Sequence, residues 1–482
     1  MTFEELRQHY PEFEFRDIDL DIRETGSGPV LVIDYFFTLG EEQFRPRWEI
    51  PCKMPYAKQN GLSLRYPDGI HCDPGFWRLV FSLGMAELIS YWKAACPPNV
   101  RLWDAFYGKE QENWWKRLYF GGLGEFFYRN GIKTDFDSFM RFSYSPDPPY
   151  WNDPEKPAKR MDLSGKLIPV GGGKDSIVTL NLLKDQLDDA CAFMINHRDS
   201  AEKSALLAGI PAERIIECRR TLDPNLLRLN KEGYLNGHTP FSAVVAFSAA
   251  LTAYLNGLKT VILSNESSAS ESTVSEAEVN HQYSKSYQFE RDFAEYERKY
   301  LRCGVEYFSL LRPLTEFQIA RYFAQLPTEF HEVFRSCNAG NARGHKDEWC
   351  GKCAKCLFVS VILSPFLSRA EISRCLGADL LNDPDAAEWF QELCGLKPNK
   401  PFECVGSRHE VNLAVCLAIQ RTEAAGEALP LLYAQYKASP LYAEYLPQTD
   451  GFGQEWDDEN NLPPAFAELV RRECVTRFAA GS

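Results

Sequence analysis

Two kinds of apolar pattern alternate through the middle of the chain. Short continuous runs, Lys166-Leu-Ile-Pro-Val170, Ala190-Cys-Ala-Phe-Met-Ile-Asn196, Arg214-Ile-Ile-Glu-Cys218, Thr260-Val-Ile-Leu-Ser-Asn265 and Val305-Glu-Tyr-Phe-Ser-Leu-Leu311, read as buried strands. Between them the apolar residues recur every three or four positions, as in Ile177, Leu180, Leu183 and Leu187, in Ser200 to Ile210, and in the segment opened by Pro240. Strand, helix, strand in repetition predicts an α/β fold with a doubly wound parallel sheet, in which ligands meet the carboxyl ends of the strands. The first 70 residues differ. Pieces such as Phe13-Glu-Phe-Arg16 and Val30 to Phe37, then aromatic-rich helices over Phe76 to Ala95 and Glu112 to Asn130, predict an N-terminal α+β module. A proline-rich connector from Ser145 to Pro157 marks its end, and a mainly helical tail follows, with helices expected over Arg369 to Leu376, Asp385 to Cys394 and Glu410 to Ala424. The expected division is 1–157, 158–368 and 369–482.

The strand at Lys166 runs straight into Gly171-Gly172-Gly173-Lys174-Asp175-Ser176 and then a helix. Glycines at a helix N-terminus leave N–H groups uncovered, and the helix dipole favours an anion there, so this turn is a phosphate cradle. It is not a Walker A loop, because Asp175 follows Gly173-Lys174 and Ile168 stands where the upstream glycine belongs. Nor is it a dinucleotide fingerprint, which needs glycine or alanine in place of Ser176. The string Gly-Gly-x-Asp-Ser resembles the PP-loop of the N-type ATP pyrophosphatases. Gly171 replaces the serine that usually leads that loop.

The 482 residues, 45% of them hydrophobic, suffice for two or three domains with ample cores. A net charge of −14 argues against nucleic acid, whose phosphates need a basic footprint. The opening Met1-Thr-Phe-Glu-Glu-Leu-Arg7 is polar and acidic, unlike a signal peptide, and Thr239 to Leu258 reads as a packed helix rather than a membrane span. Fifteen scattered cysteines without a secretion signal indicate reduced thiols, so a cytoplasmic protein is expected.

Strand ends carry the remaining candidates. Asn196-His197-Arg198-Asp199-Ser200 reads as a nucleotide contact or as a helix cap at Asp199 or Ser200. Ser264-Asn-Glu266-Ser-Ser-Ala-Ser-Glu271-Ser-Thr273 reads as a substrate loop with Mg²⁺-facing carboxylates or as a solvated loop. Cys337, Cys350, Cys353 and Cys356 have a spacing that suits tetrahedral Zn²⁺, and the spacing alone also allows an iron–sulfur cluster or unligated thiols. Their arrangement resembles the structural zinc site of 7-cyano-7-deazaguanine synthase, which favours zinc. The turn Phe402-Glu-Cys-Val-Gly406-Ser-Arg-His-Glu410 opens another helix and reads mainly as a plain turn.

With these motifs in place the whole chain resembles the MurL family of peptidoglycan synthesis. The resemblance rests on Pro169-Val-Gly-Gly-Gly-Lys-Asp-Ser-Ile-Val-Thr179, Asn196 to Ser200, Ser264 to Glu271, Phe334-Arg-Ser-Cys-Asn338 and Cys350-Gly-Lys-Cys-Ala-Lys-Cys-Leu-Phe358. It implies inversion of the terminal L-glutamate of UDP-MurNAc-L-Ala-L-Glu, with ATP consumed to AMP and pyrophosphate, and coupling to an L-glutamate-adding Mur ligase. It further implies that Gly171, Gly172, Gly173, Lys174, Asp175 and Ser176 hold phosphate with Asn196 and His197 near the nucleoside, and that Asp175 and Glu266 face Mg²⁺. The acid and base do not carry over. Candidates are His197, His238, His281, Lys285 and His345, with His281 and Lys285 foremost. The competing expectation is a PP-loop enzyme of amide or sulfur transfer.

Overall fold

The computed structural model describes residues 1–52, 73–103, 106–158, 162–270, 283–337 and 348–479. The protein is a mixed α/β structure built on one large sheet flanked by many helices. Its strands are β1 Glu12–Thr25, β2 Gly28–Leu39, β3 Glu42–Phe44, β4 Arg47–Pro51, β5 Asn99–Leu102, β6 Arg141–Ser143, β7 Lys166–Pro169, β8 Ala190–Ile195, β9 Ile215–Thr221, β10 Thr260–Leu263 and β11 Glu306–Ser309. The order across the sheet is β11-β10-β7-β8-β9-β4-β2-β1-β5-β6, with β3 paired to β2.

The five strands foreseen from the apolar runs are β7 to β11, and every pairing among them is parallel. Successive residues point into different cores. Leu167, Cys191, Phe193, Val261 and Leu263 join one cluster, while Ile168, Ala192, Met194 and Ile262 join the other. Burial on both faces explains why these segments are continuously apolar rather than alternating. The uncharged run after Thr239 is the buried helix Phe241–Asn256, which packs on β7 and β10. No helix among the described residues is long and apolar enough to cross a membrane.

The N-terminal strands do not make a sheet of their own. β4 pairs antiparallel with β9 through Arg47↔Thr221, Trp48↔Arg220 and Glu49↔Arg219, so the sheet is continuous across residue 157. Buried charge secures the junction: Arg220 grips Glu87 of the helix Pro74–Trp92 through two bonds of 2.6 and 2.8 Å, and Trp48 Nε1 donates to the same carboxylate at 2.8 Å. Helix limits shift locally. The expected helix over Glu112 to Asn130 is two, Lys109–Gly122 and Gly124–Arg129. The helix after β8 spans Asp199–Leu207 with Arg198 at its N-cap, so neither Asp199 nor Ser200 caps it. In the tail, Arg369–Leu376, Ala387–Cys394 and Arg408–Ala424 are helices, and Glu410 is the third residue of a capping box with Ser407 rather than the first of its helix.

Candidate active site

At the carboxyl end of β7 the chain turns through its three glycines into the helix Lys174–Leu182. The three glycines differ in how far they must lack a side chain. Gly172 has φ +80°, and a Cβ there would lie 2.1 Å from Ser200 Oγ. A Cβ on Gly173 would lie 2.9 Å from Ser336 Oγ, whereas one on Gly171 would meet nothing within 4 Å. Gly173 is the N-cap and supplies no side-chain acceptor, which leaves the N–H groups of the first turn open to an anion. Arg335 N donates to Gly172 O at 2.7 Å and Ser176 Oγ donates to Gly173 O at 3.0 Å, so the turn is braced from both sides.

The Lys174 side chain is buried among carboxylates. It is 1% exposed and its ammonium bonds the carboxylates of Asp175 and Glu316. Burial works against its charge, but the two carboxylates outweigh burial and raise its pKa. Glu266, after β10, completes the group: oxygens of Asp175, Glu266 and Glu316 lie within 4.8 Å of one another, a donor set that suits a hard divalent cation. The three do not share one titration behaviour. Burial pushes Asp175 up, but Lys174 and then Lys355 outweigh it and hold the carboxyl below its ordinary value. Burial and the Asp175 charge raise Glu266, and burial raises Glu316 to about 7 against the pull of Lys174.

Lys285 closes the site from the segment before the helix Tyr287–Tyr296. Its Nζ lies 3.1 Å from Cys404 Sγ, and Lys355 Nζ donates to Cys404 O. The thiol is the main reason that the Lys285 pKa rises; burial lowers it, and Glu266 adds to the rise. Arg312, 1% exposed, fixes both loops. It donates to Glu266 O and to Lys285 O at 2.6 Å each and pairs with Glu290 at 3.1 Å. The second glycine turn is part of this assembly. A Cβ on Gly406 would stand 3.3 Å from the Glu316 side chain, and Glu410 accepts from Glu316 N at 2.6 Å and Ser407 N at 2.8 Å. Ser407 and Glu410 thereby occupy that helix N-terminus themselves.

The four cysteine sulfurs cluster behind the glycine turn. Measured edges are 3.7 Å for Cys337–Cys353, 3.7 Å for Cys350–Cys356 and 3.5 Å for Cys353–Cys356. A regular tetrahedron of ~2.3 Å Zn–S bonds has edges of ~3.8 Å, so a single zinc ion fits. A cubane would need the thiolates spread around several metal atoms. Cys337 follows Arg335, which bonds the glycine turn, and Ser336, whose hydroxyl lies against Gly173.

Other expected residues fall further out. Asn196, at φ +57°, ties β8 to β9: its Oδ1 accepts from Arg220 N at 2.9 Å and its Nδ2 donates to Arg220 O at 3.2 Å. His197 is half-exposed, 3.0 Å from Asp199 and 3.3 Å from Glu217. His238 lies 3.7 Å from Glu125. His281, His345 and Glu271 lie outside the described residues. Beside the glycine turn a groove of about 240 Å³ is lined by Ser200, Lys203, Glu332, Arg335 and Glu348, and a groove of about 930 Å³ lies in the N-terminal half, with Arg16, Phe36, Arg45 and Trp103 on its walls.

Sequence reasoning missed Glu316, Lys355, Arg312 and Cys404. Glu316 and Arg312 follow the last strand, where a carboxyl-end rule could have found them. Lys355 was hidden among the cysteines, and Cys404 in a turn set aside as plain.

These features define a mixed α/β protein whose candidate site gathers loops at the carboxyl ends of parallel strands, with an open helix N-terminus, three carboxylates and two further lysines. The chain belongs to the MurL family: residues 4–310 match the MurL N-terminal domain and residues 333–442 the MurL C-terminal domain. The first match crosses residue 157 without a break, as the sheet does. It is similar to the UDP-N-acetyl-alpha-D-muramoyl-L-alanyl-L-glutamate epimerase of Xanthomonas oryzae pv. oryzae, 33% identical over 80% of this chain and 83% of the relative. Proteins of the same name from Micromonospora sp. and Salinispora tropica are 36% and 38% identical, over 82% and 68% of this chain and 86% and 70% of theirs. No solved structure matches the chain.

Proposed function

We propose that the protein epimerises the terminal L-glutamate of UDP-MurNAc-L-Ala-L-Glu to D-glutamate for peptidoglycan synthesis, through an acyl-adenylate formed from ATP. The observation that carries this is the open helix N-terminus at Gly171–Gly173 beside Asp175, Glu266 and Glu316, in a chain whose relatives are named for that epimerisation. On this reading the sheet β7 to β11 is a PP-loop nucleotide-binding domain.

The chemistry explains why an epimerase needs a phosphate cradle. Removing an α-proton beside an ionised carboxylate would place a second negative charge on one small group. Adenylation turns that carboxylate into a neutral mixed anhydride whose α-proton is far more acidic, and hydrolysis after inversion returns the acid. The N–H groups of Gly171 to Lys174 and the Ser176 hydroxyl hold the phosphate oxygens in this scheme. Asp175, Glu266 and Glu316 would hold Mg²⁺, which offsets phosphate charge. Zinc at the four cysteines would keep Arg335 and Ser336 against the turn. A nucleotide-linked substrate and cysteines read as thiols support a cytoplasmic enzyme that acts downstream of a ligase that adds L-glutamate.

The test is incubation with ATP, Mg²⁺ and UDP-MurNAc-L-Ala-L-Glu in D₂O, following pyrophosphate and deuterium at the glutamate α-carbon. Both signals with D-glutamate are expected. Pyrophosphate without deuterium would replace this reading by amide or sulfur transfer, and no pyrophosphate would remove adenylation.

A further inference from the structure

Epimerisation needs a group to take the α-proton and another path to return one. The histidines among the described candidates suit this poorly: His197 faces solvent within a ring of Asp199, Glu202 and Glu217, and His238 faces Glu125. A different pair stands inside the site. Cys404 Sγ lies 3.1 Å from Lys285 Nζ, and Cys404 is partly buried. Both partners are anchored to the frame that holds the carboxylates. Lys355 holds Cys404 O, the turn after Cys404 packs on Glu316 through Gly406, and Arg312 holds Lys285 O together with Glu266 O. An ammonium against a thiol favours the thiolate, the form that accepts a proton.

Resting on the adenylation reading above, we infer that Cys404 is the catalytic residue that takes the glutamate α-proton on one face, with Lys285, whose ammonium lies 3.1 Å from the sulfur, as its positioning residue. The step balances without an oxidant or reductant. The Cys404 thiolate forms an S–H bond with the α-hydrogen. The C–H electron pair moves towards the acyl carbonyl as an enolate, and a proton originating from water is delivered to the opposite face. The thiol then returns its proton to solvent.

The experiment uses the full-length protein and its Cys404→Ala, Cys404→Ser, Lys285→Met and Lys285→Arg variants, with ATP, Mg²⁺ and UDP-MurNAc-L-Ala-L-Glu in D₂O. Expected for Cys404→Ala is at least ~100-fold slower deuterium incorporation and D-glutamate formation, within the range of general acid–base effects, with pyrophosphate still released. Lys285→Met should move the alkaline rise of the deuteration rate to higher pH, and Lys285→Arg should restore it in part. Deuteration by Cys404→Ala within about threefold of the parent overturns the role of Cys404 alone. Loss of pyrophosphate release together with deuteration, at an unchanged melting temperature, also overturns it, because Cys404 would then serve adenylation. If Cys404→Ala does not fold, Cys404→Ser, which keeps the shape and loses the acidity, is read by the same two outcomes. Absence of pyrophosphate from the parent protein overturns the adenylation reading and this inference with it.

Discussion

Gly172 and Gly171 show how much one hydrogen atom decides. Gly172 sits at positive φ with Ser200 Oγ where a methyl would go, while Gly171 faces open space at ordinary φ. Gly172→Ala should therefore lower pyrophosphate release at least tenfold, from about 1 kcal/mol of backbone strain plus displacement of Ser200. Gly171→Ser should stay within about threefold of the parent and add a hydroxyl at the cradle. Equal losses in both variants would count against the cradle. The cluster of glycines was legible in the chain, but which glycine touches what was not, because Ser200 arrives from the helix after β8 and Ser336 from the segment before Cys337. His197 offers a second check. Burial is the largest single influence and lowers its pKa, but Asp199, Glu217 and Glu202 together outweigh it and raise the pKa above 6.5. A folded pKa above the unfolded one stabilises the fold below pH 6.5, and that contribution disappears as pH rises through the folded value. His197→Gln should cost less than about 1 kcal/mol at pH 6, since the group is half-exposed, and nothing at pH 9. Chemical unfolding at the two pH values measures it, and an NMR titration midpoint below 6.5 would refute the premise.

At the scale of elements, the strands β7 to β11 were foreseen because two-sided burial writes a continuous apolar run into each. Their order was not, since neighbours in a sheet are chosen by packing over long sequence separations. The cysteine loop behaves similarly. Its four cysteines and their spacing stand in the chain, while the 3.5 to 3.7 Å sulfur edges, which suit a single zinc ion, belong to the folded loop. The purified protein should carry one zinc per chain by elemental analysis. Cys353→Ser should abolish that stoichiometry and lower the melting temperature by more than about 5 °C, because metal binding is coupled to the order of this loop. A metal-free parent protein, or full zinc in the variant, would sink the assignment. On the proposed reaction, loss of order at Cys337 should also weaken turnover, since Arg335 bonds the glycine turn and Ser336 lies against Gly173.

Across the whole molecule, the N-terminal strands and the parallel strands share one sheet, joined where β4 meets β9 and locked by Glu87 between Arg220 and Trp48. Glu87→Ala leaves the Arg220 guanidinium, 12% exposed, without its carboxylate, and should cost about 3–5 kcal/mol in denaturant unfolding. The parent should unfold in one transition, and a fragment beginning at residue 158 should aggregate because β9 becomes a bare edge. A soluble, folded fragment would show instead that the connector separates independent units. The chain by itself determined the elements whose signal is local: apolar runs buried on both faces, an open glycine turn at a helix start, and a set of thiols with ligand spacing. Only the tertiary structure decided that Glu316, Lys355 and Cys404 join Asp175, Glu266 and Lys285, and that the N-terminal strands extend the parallel sheet. Those groups are separated by tens to hundreds of residues. Each is unremarkable in its own segment and becomes chemistry only when burial brings opposite charges and a thiol within a few ångströms, where a low dielectric makes their pairing strong.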